Sequence, residues 1–307
     1  MAIASRVGRA VERAWQEHLL VPAFNAAHLP MVRPICEALA QLDCFGLVEV
    51  ARVDLVRHEA RSLAAIAAAY QESAHPRYTG LHLDHVPVVD EEGRTVEWRA
   101  MIEEALALGY DSVMVDGSRL PLDQNIAVAR EVAEMAHATG TPVEAELGAV
   151  YGHEPGPPPD YEELYASGRG FTAPEEAARF VAETEVDWLS VACGNIHGAV
   201  VGAAARQPKV RARLNIAHLR RLAAAARIPL VLHGGTGIPA EYLREAARHG
   251  IAKINIGTEI RQAYEAAFRE GQSEARAQEA VAGVARRILA SDLAVAGSAS
   301  LVAGEVG

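Results

Sequence analysis

Short apolar runs recur along the chain, each followed by enough residues for one helix. Leu19–Phe24, Gly46–Val53, Gly80–His85, Ser112–Asp116, Pro142–Leu147, Trp188–Cys193, Pro229–His233 and Ala252–Ile256 are rich in Val, Ile and Leu and bounded by Gly, Pro or polar residues. Runs of this length and composition read as buried strands. Between them lie Ala-rich stretches with helical patterning, among them Arg57–Gln71, Val96–Leu108, Asp123–Thr139, Pro174–Glu183 and Ala217–Ala225. Pro121 and Pro174 stand where a first helical turn tolerates proline. Eight such alternations predict an α/β fold of the (β/α)8 TIM-barrel type, with residues 1–307 as one barrel domain. A doubly wound open sheet is the rival, but no G-x-G-x-x-G follows the first strand.

Two segments depart from the rhythm. Residues 148–171 contain GHEPGPPPDYEELYASGRGF, a long loop after strand five of the kind that usually serves as a lid or is disordered. Beyond the last strand, Ser273–Ala290 predicts an extra C-terminal helix. The small-residue tail after it reads equally as a frayed end or a packed arm.

The third strand raises a chemical question. GLHLDHV, residues 80–86, puts His82, Asp84 and His85 into a run that otherwise reads as buried. In barrels of this type catalytic groups gather at the C-terminal ends of strands, and the costly residues fall there throughout. Strand three ends in Asp84-His85 and strand four in Asp116-Gly117-Ser118; strand five carries Glu144 and Glu146. Strand six is followed by Gly194-Asn195-Ile196-His197-Gly198, strand seven ends in His233-Gly234-Gly235-Thr236-Gly237, and strand eight in Asn255-Ile256-Gly257-Thr258. A lone strand-end histidine is more often a hydrogen-bonded core residue than a ligand. His85, His197 and His233 stand at equivalent positions, each beside Gly or Asp, and three imidazoles with an open position make a zinc site. Asp116 and Glu146 are candidates for an alternative metal position or for orienting the ligands. His82 shares a strand face with Asp84, while His85 points the other way unless the strand end turns; His82 reads as structural. His58, His75, His137, His153, His218 and His249 read mostly as surface residues.

The glycines after strands seven and eight form a backbone-rich concavity where barrels often bind phosphate. Arg261, on the next helix, is placed to add a charge-assisted contact.

Composition narrows the partners. The net charge of −11 disfavours nucleic acid and anionic membrane. No run approaches the roughly 18 apolar residues of a membrane span. The N-terminus reads as an amphipathic helix without the apolar core of a signal peptide. Cys36, Cys44 and Cys193 lack metal-type spacing and fit a reducing compartment. The expectation is a soluble cytoplasmic protein.

VPAFNAAH at 21–28, HLDH at 82–85, SVMVDGS at 112–118, VEAELG at 143–148, GNIHG at 194–198, LVLHGGTGIP at 230–239 and KINIGTEIR at 253–261 occur in one order over about residues 20–270. On these motifs the chain resembles the class II, zinc-dependent fructose-bisphosphate and tagatose-bisphosphate aldolases. The resemblance implies Zn2+ held by His85, His197 and His233, with Asp116 and Glu146 matching positions that hold the metal when it moves or that bind a second divalent ion. It implies Asp84 as acid/base at the C4 hydroxyl and Glu154, on the loop, as a second catalytic group. Gly198, Gly234, Gly235, Thr236, Asn255 and Thr258 would bind phosphate, with a monovalent cation nearby in some members. Asn25, Gly257 and Arg261 would complete the substrate site; Arg261 matches a position that in some members contacts the far phosphate of a bisphosphate. Dimers or tetramers are usual in the family.

Departures from the family pattern cluster away from the metal. FGLVEVARVDL puts Glu49, Arg52 and Asp54 where small polar and apolar residues are expected. Gly257 replaces an aspartate of the fructose-type enzymes, His197-Gly198-Ala199-Val200 replaces HG-x-Y, and the loop carries His153 and extra Pro-Gly sequence. These changes fall on parts expected to meet the aldehyde portion, which suggests retained aldol chemistry on an altered ketose phosphate. The rivals are a non-catalytic sugar-phosphate-binding homologue, which needs neither Asp84 nor Glu154, and a metal-dependent hydrolase. Such hydrolases usually carry H-x-H on strand one, where this chain offers Asn25 and His28.

Overall fold

A computed structural model describes residues 5–151, 160–197 and 211–304. Eight parallel strands close into a barrel in chain order: β1 (Val21–Asn25), β2 (Gly46–Ala51), β3 (Thr79–Pro87), β4 (Ser112–Asp116), β5 (Val143–Leu147), β6 (Trp188–Val191), β7 (Leu230–Leu232) and β8 (Ile251–Ile256). Closure is through β1 and β8, with Val21 opposite Lys253 and Ala23 opposite Asn255. The expected barrel is therefore the observed one.

Helices cover the outside: α1 (Arg6–Gln16), α2 (Val32–Gln41), α3 (Arg52–Arg57), α4 (Leu63–Ser73), α5 (Trp98–Ala107), α6 (Leu122–His137), α7 (Tyr161–Ser167) and α8 (Pro174–Thr184). They continue with α9 (Ile216–Ala226), α10 (Ala240–Arg248), α11 (Thr258–Arg269), α12 (Glu274–Arg287) and α13 (Ala299–Ala303). The stretch expected as one helix from Arg57 to Gln71 is two. Residues 58–62 separate α3 from α4, and Ser62 caps α4 by accepting from the Ala65 N–H at 3.1 Å. The second strand stops at Ala51, two residues before the expected end, because Arg52 already begins α3.

α1 is amphipathic, as its pattern predicts. It buries Val7, Ala10, Val11 and Ala14 against Val21, Leu47, Trp188, Val231 and Ala252, which lie at or near the starts of their strands. It therefore closes the N-terminal end of the barrel. Gly80 permits the close approach, since a Cβ there would lie 2.7 Å from a Val7 methyl. The C-terminal tail is a packed arm through residue 304. Leu293, Val295, Ala299 and Val302 are buried, and the Gly297 and Ala299 N–H groups donate to the carbonyls of Leu42 and Asp43 at 2.9 Å. Among the described residues no helix is long and apolar enough to cross a membrane.

Candidate active site

The polar residues of the strand ends meet at the C-terminal mouth. The register of β3 against β4 shifts between Leu83 and Val86, and His85 takes φ +34°. A bulge of this kind re-aims a side chain. It resolves the face problem of GLHLDHV: Asp84 and His85 are neighbours in sequence, yet both line the same cleft. A positive φ on a residue with a Cβ is a strained conformation, tolerated where surrounding structure enforces it. His82 faces inward below them. It is fully buried, its Nδ1 is 2.8 Å from Ser112 Oγ, and burial lowers its pKa to about 3, so the ring is neutral. That is the structural role its strand face suggests.

His85, His197 and His233 offer one nitrogen each within 4.8 Å of one another. Ring centroids lie 4.4 Å apart for His85–His233, 5.1 Å for His85–His197 and 5.9 Å for His197–His233, all edge to face. His85 Nε2 and His233 Nδ1 approach to 2.6 Å. Two imidazole nitrogens face each other at that distance only if they share a proton or aim at a common electron acceptor. The opposite nitrogens decide which atoms face inward. His85 Nδ1 meets Asp116 Oδ2 at 3.4 Å, and His233 Nε2 meets Glu144 Oε1 at 2.7 Å. Carboxylates behind metal-binding histidines fix tautomer and ring orientation in this manner. The donor set fits a divalent transition ion of the zinc type. His85, Asp116 and Glu146 form a second close group on one side of it. Burial, then the neighbouring Asp116, pushes the Glu146 carboxyl up to about 8, and Ser190 Oγ donates to it at 3.2 Å.

Beneath the histidines lies a network that sequence reasoning missed. Lys253 is fully buried in the barrel, with its Nζ 2.9 Å from Glu144 Oε2 and 3.5 Å from Glu49 Oε2. It donates to Asn255 Oδ1 at 2.6 Å, which turns the Asn255 amide so that Nδ2 donates to Asp84 Oδ1 at 2.9 Å. Asp84 Oδ2 accepts from Asn25 Nδ2 at 3.4 Å. Burial raises the Asp84 pKa, but His85, His233 and Lys253 outweigh it and hold the carboxyl below its ordinary range. Glu144 is held down in the same way: burial opposes, while Lys253 and His233 prevail. The signal was present as inward alternation, Glu144/Glu146 and Lys253/Asn255, but a lysine inside a barrel is not an expected partner.

Glu49 does not reach the cleft. It lies wholly inside the barrel, where burial, then Asp84, drives its carboxyl well above the usual range. Arg52 turns to Asp90 at 3.6 Å. Of the three unusual residues of the second strand, Asp54 alone lines the cleft. Its Oδ2 accepts from the Ala51 N–H at 2.9 Å and from Asn25 Nδ2 at 3.3 Å.

The cleft, about 600 Å³, is also lined by Asn25, Gly234, Thr236, Asn255, Gly257, Thr258 and Arg261. Thr236 Oγ1 is buried with no hydrogen-bond partner among the described residues. Gly257 N-caps α11 at a point where a Cβ would lie 2.9 Å from Asn25 Oδ1. Gly235 differs from its neighbours: its N–H donates to the Asn255 carbonyl at 2.9 Å and it does not line the cleft, so it shapes the turn. Glu154 and Gly198 lie outside the described residues. His58 and His218, expected on the surface, are not there. His58 lines the cleft, and His218 is buried with Nε2 2.8 Å from the Thr172 carbonyl. His28 stands apart from the three histidines, stacked on Tyr264 at 4.9 Å with Nε2 3.3 Å from Glu265.

The profile of class-II fructose-bisphosphate aldolase matches residues 5–297. The fructose-bisphosphate aldolase of Streptococcus pyogenes serotype M1 is 41% identical over 178 residues, covering 58% of this chain and 55% of that protein. That of Streptococcus pneumoniae serotype 4 is 40% identical over the same length and shares. The matched part thus spans about half the length of these curated relatives. The crystal structure of the YdjI aldolase from Escherichia coli K12 superposes with a TM-score of 0.74 at 27% identity, covering 95% of this chain and 98% of that one. The fructose-bisphosphate aldolase of Campylobacter jejuni shares the fold, with a TM-score of 0.69 at 18% identity over 94% and 93% of the two chains. The motifs, the barrel and the profile match agree: the chain belongs to the class-II fructose-bisphosphate aldolase family.

Proposed function

We propose that the chain is a class II aldolase that cleaves a ketose 1-phosphate or ketose bisphosphate, reversibly, to dihydroxyacetone phosphate and an aldehyde. The observation that carries this reading is Asp84 beside the three histidines. It is a buried carboxylate, kept ionised and held on both oxygens by Asn255 and Asn25, with its edge on the cleft. His85, His197 and His233 would hold zinc, which when bound would polarise the C2 carbonyl. Asp84 takes the proton from the C4 hydroxyl, and C4 becomes the carbonyl carbon of the departing aldehyde. The C3–C4 electron pair passes to C3, giving the enediolate that is protonated there. Lys253 acts through Asn255, orienting the amide that orients Asp84. Gly234, Thr236 and Thr258 form the phosphate end, where the buried Thr236 hydroxyl supplies a donor in need of an acceptor. Glu154 is assigned the return of the proton on the family resemblance alone. The buried thiols Cys36, Cys44 and Cys193 accord with a reducing compartment. A homodimer or homotetramer is the assembly we expect.

The test is a coupled assay for dihydroxyacetone phosphate across a panel of ketose mono- and bisphosphates. We expect turnover with zinc-loaded protein, loss with chelator and recovery on adding zinc back. A zinc-loaded sample that turns over no panel member would rule the aldolase reading out.

A further inference from the structure

The cleft has two ends of different charge character. One end is built by the loops after β7 and β8, with Gly234, Thr236 and Thr258. The other end lies beside β2 and α3, with Ala51, Val53, Asp54 and His58. Arg261 is the one arginine or lysine among the described residues lining this cleft, and it is already committed. Its Nη1 lies 3.0 Å from both carboxylate oxygens of Glu265, four residues along α11. With Glu265 neutralising Arg261, Asp54 leaves the β2 end net negative. A second hollow opens on the other side of His85 and His197 and is no more welcoming to an anion. Its lining brings Arg119 together with the carboxyls of Glu91 and Asp116.

A phosphate needs donors and positive charge, and a like charge placed beside it disfavours its binding. A hydroxyl is served by what the β2 end does offer. A carboxylate accepts from it, and an imidazole and an amide nitrogen lie close by.

We propose that the β2 end of the cleft, through Asp54 and the Glu265-neutralised Arg261, selects a ketose 1-phosphate whose distal end is uncharged and hydroxylated and rejects a second phosphate there. The inference rests on the aldolase reading for which end of the cleft takes which part of the sugar. It makes Asp54 and Glu265 specificity determinants of that reaction.

The experiment compares a matched pair, a ketohexose 1-phosphate and its 1,6-bisphosphate, on the zinc-loaded full chain. It reads both kcat/KM and calorimetric affinity. The monophosphate should lead by about tenfold or more in both readouts. Asp54→Asn keeps the shape and removes the charge. Glu265→Gln loosens Arg261 without deleting it. Each should narrow the ratio by raising the bisphosphate value, and the double variant should narrow it most. Equal or better use of the bisphosphate by the unaltered protein would overturn the inference. So would a ratio that neither folded variant moves, or failure of both sugars to bind. If both sugars bind and neither is cleaved, the affinity ratio still decides the selectivity, and the aldolase reading is decided by the wider panel.

Discussion

The two ends of the barrel interior are built from opposite materials, often on the same strand. On β1 the inward series runs Val21, Ala23, Asn25; on β2 Leu47 is followed two residues later by Glu49; Val231 of β7 is followed two residues later by His233, just past the strand's end. The N-terminal end is apolar and sealed by α1. Toward the C-terminal mouth the interior turns polar, with Glu49, His82, Glu144 and Lys253 inside the barrel and Asp84, His233 and Asn255 at the cleft, all nearly or fully buried. Apolar packing there would be more stable, because burying charges costs desolvation that their attraction only partly returns. The difference teaches that apolar packing, at the sealed end and between the strands and their helices, allows the mouth to hold a costly charged network in place.

Breaking the charged end should have the largest effect. Lys253→Met leaves the buried Glu144 carboxylate without its cation, and losing one partner of such a network costs about 3–5 kcal/mol. Chemical denaturation should show that loss together with a fall in kcat, since Asn255 no longer orients Asp84. A change under about 1 kcal/mol would mean that Glu144 takes up a proton once Lys253 is gone.

Asp84→Ala separates chemistry from architecture. Cleavage should fall by about 10²–10⁴-fold, the usual worth of a positioned acid/base, with zinc content unchanged by metal analysis. Loss of zinc along with activity would show that Asp84 is a structural support of the histidines instead.

The sealed end should respond in the reverse sense. Val11→Ala removes two buried methyl equivalents, about 2 kcal/mol, from a fully buried position. The unfolding midpoint should drop while kcat of the folded protein holds. A kcat change would mean that α1 communicates with the mouth.

The smallest effect concerns pH. Burial, then the nearby Arg261, lowers the His58 pKa to about 4 from an ordinary 6.5. A depressed histidine is neutral in the fold, so its contribution is full above pH 6.5 and is lost as pH falls through about 4. His58→Gln should flatten the stability profile across that window and leave the neutral-pH value near that of the parent. An unchanged acid limb would remove His58 from the account.

Much of this was legible in the chain. The strand Ser112–Asp116 was bounded as observed, and the residues of HLDH, VEAELG and LVLHGG that converge at the mouth could be named from their places at strand ends. Those places follow from an alternation that repeats and from a fold that puts strand ends together. Lys253 was not legible as a partner, because its neighbours Glu144 and Glu49 are more than a hundred residues away. Neither was the split of the unusual second strand into a buried Glu49, an outward Arg52 and a cleft-lining Asp54, because a helix starts there at once.

By itself the sequence determined the barrel, its polar mouth and the family to which the chain belongs. These depend on periodicity and on motifs that are local along the chain. The tertiary structure alone decided that Asp84 and His85 face the same cleft, because a shifted register and a positive φ at His85 break the alternation. It alone decided that Lys253 reaches Asp84 through Asn255, and that Glu265 occupies Arg261. Each is a contact or a break in pattern that strand pairing and burial impose, where a buried charge must find its partner across the barrel.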